Sequence, residues 1–299
     1  MIVVLKQLVI LYVFLFAGFL IGKFKKGTAE KSDILAVLII NLFLPCKVFN
    51  TFQNNFTVAF FSERYPLLIT SIILIGVLII GSYFLSKLIT KKEYEQKVYR
   101  YSFTLSNYAY LGYVLIESVF GEKFLSEFIF FAIPFIIYTY TFGYALLTGG
   151  KNVIKKLLNP LTVAIVLGMI VGLTNISLPE VILKTVSSSS ACVGPLSMIL
   201  TGLTLSTFNF KELLTDVRAY IVTAIRLVGI PGLAYLVCIA FKLTSVLPMV
   251  LIITAMPCGL NTVVFPKLIG EDCKPGARLA FISHAFSIIT LPLWLSLII

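Results

Sequence analysis

The stretch Thr254–Lys267, TAMPCGLNTVVFPK, decides how this chain folds. It lies inside an apolar run, Val246–Leu268, long enough to cross a bilayer as a helix. Pro257 has no N–H to give, and its ring clashes with the carbonyl four residues back; Gly259 adds no helix propensity. The helix is therefore expected to break near the middle of the run. Broken backbone at that depth is tolerated only against protein or a wet cavity. The N–H groups freed at the start of the second half-helix carry partial positive charge suited to an anion. Asn261, one turn further, can donate hydrogen bonds to a carboxylate. The competing reading makes Pro257 a simple kink.

Working outward, nine more runs are read as spans: Val3–Gly22, Ile34–Phe52, Tyr65–Leu88, Val98–Phe120, Leu125–Leu147, Pro160–Leu173, Ser187–Ser206, Ala219–Phe241 and Gly276–Ile298, the sixth being short, which suits little tilt or a locally thinned bilayer. Hydrophobic residues make up 59% of the 299 and charged residues 12%, against about 25% charged in soluble domains. The bilayer must be the solvent for such a chain. The runs are continuous rather than alternating, which selects helices over barrel strands. The expected fold is thus an all-α membrane protein of ten transmembrane helices. The first run starts almost at Met1 and is followed by no A-x-A site, so it is read as a span and not as a cleaved signal peptide.

The net charge of +11 is not gathered on one face, so nucleic acid is not an expected partner. Of the 24 Lys and Arg residues, 17 lie in the loops after helices one, three, five, seven and nine, and 5 at the other side. The positive-inside rule makes the richer loops cytoplasmic and puts both termini outside the cell (inner or plasma) membrane. The five cysteines are scattered without metal-ligand spacing and read as packing residues.

A weak internal repeat follows. VFGEKF (Val119–Phe124) and LIGEDC (Leu268–Cys273) close helices four and nine at an offset of 149 residues, and Pro45 and Pro195 stand at nearly the same offset. The chain divides into 1–149 and 150–299, two five-helix repeats. An odd number of helices per half forces opposite orientations, a recurring design of secondary transporters. Helix four holds TLSNYAYLGYV (Thr104–Val114), with Asn107 and Gly112 about its centre. The offset matches Asn107 and Ala109 to Met256 and Cys258. Two broken helices, four and nine, would then cross with half-helix N-termini facing one point; the alternative makes the asparagines interhelical glue.

The segments NLFLPCKVF (Asn41–Phe49), SNYAYLGYVLIESVFG (Ser106–Gly121), AMPCGLNTVVFPKLIGED (Ala255–Asp272) and HAFSIITLPLWL (His284–Leu295) resemble the auxin efflux carrier family, which includes bacterial organic-anion permeases and the plant PIN transporters. The resemblance implies an elevator carrier of small organic anions, usually carboxylates. Helices one, two, six and seven would form a scaffold, often a homodimer, and helices three to five and eight to ten a moving transport domain. It carries over Asn107 at the helix-four break and Pro257 and Asn261 in helix nine. This chain departs from the family in having Val114, after Tyr113, where a proline is usual. The candidate substrate site comprises Asn107, Tyr108, Gly112, Pro257, Cys258, Gly259 and Asn261.

Few other polar residues fall inside spans, and each needs a reason. Arg226 attracts a carboxylate, snorkels to the surface, or pairs structurally, the last two being favoured. Lys47 is expected to snorkel outward and Glu117 to be solvated, with gating as its minor reading. Asn41 reads as an interhelical hydrogen-bonding residue. His284 is a packing residue or a proton relay. No cofactor is expected, and proton or sodium coupling stays open. The competitors to an anion carrier are a sodium-coupled symporter resembling the bile-acid family, which shares the crossed-helix design, and a non-transporting ligand sensor. Cation–proton antiport is disfavoured because no carboxylate lies near the crossing. An enzyme is disfavoured by the dispersed acids and lone histidine.

Overall fold

The computed structural model describes residues 2–25, 32–150 and 158–298. Among them every regular element is a helix: α1 (Ile2–Phe24), α2 (Ser32–Asn55), α3 (Val58–Ile89), α4a (Glu93–Thr104), α4b (Tyr108–Phe120), α5 (Glu122–Thr148), α6 (Pro160–Thr174), α7 (Glu180–Ser206), α8 (Val217–Ala240), α9a (Leu247–Ala255), α9b (Asn261–Lys267) and α10 (Lys274–Leu295), with one short turn of helix, Phe210–Leu214, between α7 and α8. Seven of these, α1, α2, α3, α5, α7, α8 and α10, are long and apolar enough to cross a membrane. The other three expected spans fall short for visible reasons. The fourth and ninth are each in two pieces, and α6 has only 15 residues.

Local sequence sets several of the ends. Asn159 caps α6 by accepting from the N–H groups of Leu161 and Thr162, with Pro160 at the first helical position. Thr57 caps α3 and Asp216 caps α8 in the same way. The glycine of each Gly-Glu pair, Gly121 and Gly270, takes a positive φ of 86° and 73°, the backbone that lets the chain leave a helix sharply.

The surface is inverted relative to a soluble protein. On α3, Ile69, Ile72, Ile73, Val77, Ile80 and Phe84 are all exposed, while Ser71, Ser82 and Ser86 are buried. Such a face is stable only in hydrocarbon. Within the bundle α1 runs along α7, and α2 lies against α6 and α7. The α1–α7 contact depends on small residues: a Cβ at Gly202 would lie 1.9 Å from the Leu15 carbonyl. The remaining helices pack chiefly among themselves, α3 on α4a and α5, and α8 on α9a and α10.

Ion pairs gather the loops into two sets. Lys267–Asp33, Arg218–Glu95, Lys274–Glu212 and Arg278–Asp216 tie together the lysine-rich loops. At the other end Lys47 pairs with Glu117 and Arg64 with Glu127, and Glu122 accepts from Asn50 and Asn54.

Candidate functional site

The two interrupted helices meet at their breaks. Residues 105–107 of the fourth run and 256–260 of the ninth lie side by side, and Ser106 and Cys258 form an antiparallel bridge. The Asn107 N–H donates to the Pro257 carbonyl at 2.8 Å. Gly259 permits this approach, since a Cβ there would come within 3.3 Å of the Ser106 carbonyl oxygen.

Both breaks release a carbonyl, and one side chain collects them. Pro257 offers no N–H to Ile253, four residues back. Asn107, which would serve Phe103 in an unbroken helix, has turned its N–H to Pro257. The Arg226 guanidinium donates from Nη2 to the Ile253 carbonyl at 2.8 Å, from Nη1 to Phe103 at 3.0 Å and from Nε to Met256 at 3.2 Å. Ser106 Oγ also donates to Ile253, at 2.8 Å. The arginine thus sits at the negative ends of both first half-helices, only 1% exposed. It does not snorkel; the carbonyls freed by the breaks are the partners that hold it in.

A widened helical turn at Ile225–Gly229 carries Arg226. Three similar turns, Ile39–Phe43, Tyr108–Gly112 and Thr139–Gly143, bear Asn41, the residues after Asn107, and Thr139 with Tyr140. Such turns leave backbone groups unbonded and recur at functional sites. Four residues after Leu227 stands Pro231, which has no N–H to give, and the Trp294 indole donates to the Leu227 carbonyl instead, at 2.7 Å.

Beside the crossing is a small pocket, with a cavity of about 20 Å³, walled by Tyr101, Asn107, Tyr108, Tyr110, Tyr140 and Asn261 among others. It has room for about one water molecule. Two of its polar atoms, the Tyr110 hydroxyl and Asn261 Oδ1, are buried without a hydrogen-bond partner. Asn261 Nδ2 donates to the Tyr101 hydroxyl at 3.2 Å. A hydroxyl also donates, so this amide can turn over and offer its NH₂ to the pocket instead. Tyr140 also lines a larger hollow of about 570 Å³, bordered by Asp33, Asn41, Tyr144, Asn159 and Phe265. That hollow lies at the lysine-rich end, by the Lys267–Asp33 pair. A third hollow, about 280 Å³ between α3 and α8, is almost wholly apolar and offers an anion nothing.

A family model described as membrane transport protein matches residues 3–154 and 144–295, nearly the whole chain. The chain belongs to this family, the auxin efflux carriers. It is also 28% identical over 280 residues, covering 89% of either chain, to an uncharacterized transporter of Methanocaldococcus jannaschii. This auxin efflux carrier family member is therefore a multi-pass membrane transport protein.

Of the seven candidate substrate residues of this family member, Asn107, Tyr108, Gly259 and Asn261 line the small pocket. Gly112, Pro257 and Cys258 do not. Gly112 packs on Met256, Pro257 is engaged through its carbonyl by Asn107, and the Cys258 N–H donates to Ser283 Oγ at 3.0 Å. Lys47 is buried rather than snorkelling, because Glu117 reaches it across 70 residues of chain. Glu117 is accordingly paired and only partly solvated. Among the described residues Asn41 makes no interhelical bond; its Nδ2 donates to the Val37 carbonyl within α2 at 2.9 Å, and it lines the larger hollow. His284 is buried against Asn107, with Nε2 at 2.9 Å from Nδ2. Tyr101, Tyr110, Tyr140 and Ser283 escaped the sequence reading. A cluster of tyrosines about two asparagines, and Ser283, His284 and Ser287 in one apolar helix, were the available signals.

Proposed function

We propose that this chain is a secondary carrier of small organic anions, carboxylates above all, that binds its cargo where the two broken helices cross and moves it by an elevator displacement. The observation that carries the reading is the pocket at the crossing, where Asn107, Asn261 and tyrosine hydroxyls replace charged side chains. Hydroxyls and amide NH₂ groups donate to a carboxylate; the backbone N–H groups expected to help at the start of α9b are largely taken, those of Thr262, Val263 and Val264 being bonded to the Gly259 and Leu260 carbonyls. In this reading the chain holds ten spanning segments in two inverted halves, 1–149 and 150–299. The helices α1, α2, α6 and α7, which pack together, are the scaffold through which two copies pair, and the rest move. The lysine-rich loops face the cytoplasm, with both termini outside, so the large hollow is the cytoplasmic vestibule. The one-water pocket is a contracted state that must widen to admit cargo.

Sodium coupling of the bile-acid type is less well supported. A hard cation in a helix break is held by converging carbonyl oxygens. Here the carbonyls of Phe103, Ile253 and Met256 converge on a guanidinium.

The test is transport by purified protein in liposomes, screened over acetate, lactate, succinate and malate. The wild type should move at least one of them, and Asn107→Ala and Asn261→Ala should each reduce that flux at least tenfold while the protein still folds. No flux of any carboxylate would overturn the reading.

A further inference from the structure

His284 is the only histidine in the chain, and its ring joins the pocket to α10 through two hydrogen bonds whose directions are constrained. Nδ1 lies 2.7 Å from the Ala280 carbonyl oxygen. A carbonyl only accepts, so Nδ1 carries a hydrogen in both protonation states of the ring. Nε2 lies 2.9 Å from Asn107 Nδ2. An amide nitrogen only donates, so Nε2 presents its lone pair. The ring's one basic position is therefore bonded to the amide that lines the pocket.

Adding a proton to Nε2 sets a donor against a donor. The Asn107 amide relieves this by turning over about its Cβ–Cγ bond. Oδ1 then accepts from Nε2–H, and the NH₂ takes the place Oδ1 held. An amide is nearly symmetric in shape, so neither the ring nor the backbone has to move. What changes is the character of the amide edge turned away from the ring. It passes from an acceptor, which repels a carboxylate, to a donor, which binds one.

The surroundings leave the imidazolium charge to be matched by something that arrives. From α1, the Tyr12 hydroxyl donates to the His284 carbonyl at 2.7 Å and lies 2.7 Å from Ser287 Oγ. The break in helix nine contributes Cys258, and α8 contributes Arg226, a fixed positive charge. Toward the lysine-rich end Arg278 is paired with Asp216, Lys274 with Glu212, and Tyr99 of α4a is close by. Among the described residues no carboxylate is hydrogen-bonded to His284.

We propose that His284 and Asn107 form a proton–anion coupler: protonation of Nε2 turns the Asn107 amide to receive a carboxylate, and carboxylate binding draws a proton onto Nε2. The inference rests on the carrier reading above and deepens it to symport of one proton with one carboxylate. An O–H bond of a hydronium ion on the loading side breaks as the Nε2–H bond forms; on release the proton returns to water on the other side. The linkage is reciprocal, so each ligand raises the affinity for the other by the same factor.

A single histidine makes the test direct. Wild-type protein labelled with ¹⁵N-histidine gives one imidazole pair of nitrogen resonances. With a carboxylate that binds, chosen from the panel above, Nε2 should pass from the lone-pair to the protonated shift at constant pH, with Nδ1 protonated throughout. Over the pH range in which the free ring is unprotonated, carboxylate affinity should rise about tenfold per unit fall in pH, the slope for one linked proton. Liposomes enclosing a pH-sensitive dye should show about one proton entering per carboxylate, and His284→Gln should lose both the pH slope of carboxylate binding and carboxylate-linked proton entry. Carboxylate binding that leaves the Nε2 lone pair intact, or His284→Gln still moving protons, overturns the coupler and leaves the carrier standing. If no carboxylate binds or moves at any pH, both fall.

Discussion

Replacing Arg226 by lysine keeps the buried charge and removes the fork. The guanidinium reaches three carbonyls with three different nitrogens, at 2.8, 3.0 and 3.2 Å. One ammonium on a shorter stem meets one of them at hydrogen-bond distance and leaves two behind. Hydrogen bonds to charged groups contribute about 1.5–3 kcal/mol each, so two lost bonds come to about 3–6 kcal/mol. Nothing offsets this, because the charge is still desolvated. Arg226→Met also leaves carbonyls bare but removes the several kcal/mol it costs to bury an ion, and Ser106 Oγ still serves Ile253. The lysine variant should therefore be the less stable of the two, which inverts the usual ranking of a conservative substitution. The lone Trp294 is a built-in reporter, since its indole is bonded to Leu227, next to Arg226. Thermal unfolding followed by its fluorescence should rank wild type above Arg226→Met and Arg226→Met above Arg226→Lys. A lysine variant as stable as wild type would refute the claim that the fork itself joins the half-helices.

Three further outcomes are expected. Exchanging sodium for potassium or choline should change carboxylate flux less than twofold, measured in the same liposomes, because the guanidinium already fills the carbonyl cluster. Gly202→Ala should destabilise the α1–α7 contact by about 1–3 kcal/mol, the usual cost of overpacking, since its Cβ would overlap the Leu15 carbonyl; a melting temperature equal to wild type would show that α1 shifts freely. At the lysine-rich end, burial pushes the Glu95 carboxyl up, but hydrogen bonds from Thr90 and Lys92 and the charges of Lys92 and Arg218 outweigh it and hold it below the usual glutamate range. Its contribution to stability is present above the unfolded value, about 4.3, and is lost as pH falls through the lower folded value. Glu95→Gln should flatten that acid limb, as read from unfolding midpoints between about pH 5 and pH 2.

The sequence shows some of this architecture and conceals the rest for definable reasons. Apolar runs are local, so the segments and their order could be read directly, including the shortness of α6. The break at Pro257 was equally plain, because proline acts through its own covalent structure. The break at Asn107 is of another kind. No residue near it forbids a helix; its N–H is drawn off by the Pro257 carbonyl, a partner 150 residues away. The part played by Arg226 could have been half inferred. Pro257 leaves Ile253 without a donor, and a buried carbonyl so exposed requires one, yet nothing local says which side chain supplies it. Lys47 shows the opposite failure: its depth points to snorkelling, and only the fold, which brings Glu117 of α4b to it, reveals its partner.

The uncompensated guanidinium has an electrical meaning. Among the described residues no carboxylate pairs with Arg226, so a crossing that travels along the membrane normal moves a charge through the transmembrane field, which acts at about 2.3 kcal/mol per elementary charge per 100 mV. With a proton on His284 and a monocarboxylate in the pocket, the two additions cancel, and the loaded crossing bears the same single charge as the empty one. The membrane voltage then sets where the crossing rests without driving net current around the cycle. A dicarboxylate taken up with one proton removes that balance, and its uptake registers as a current where that of a monocarboxylate is silent.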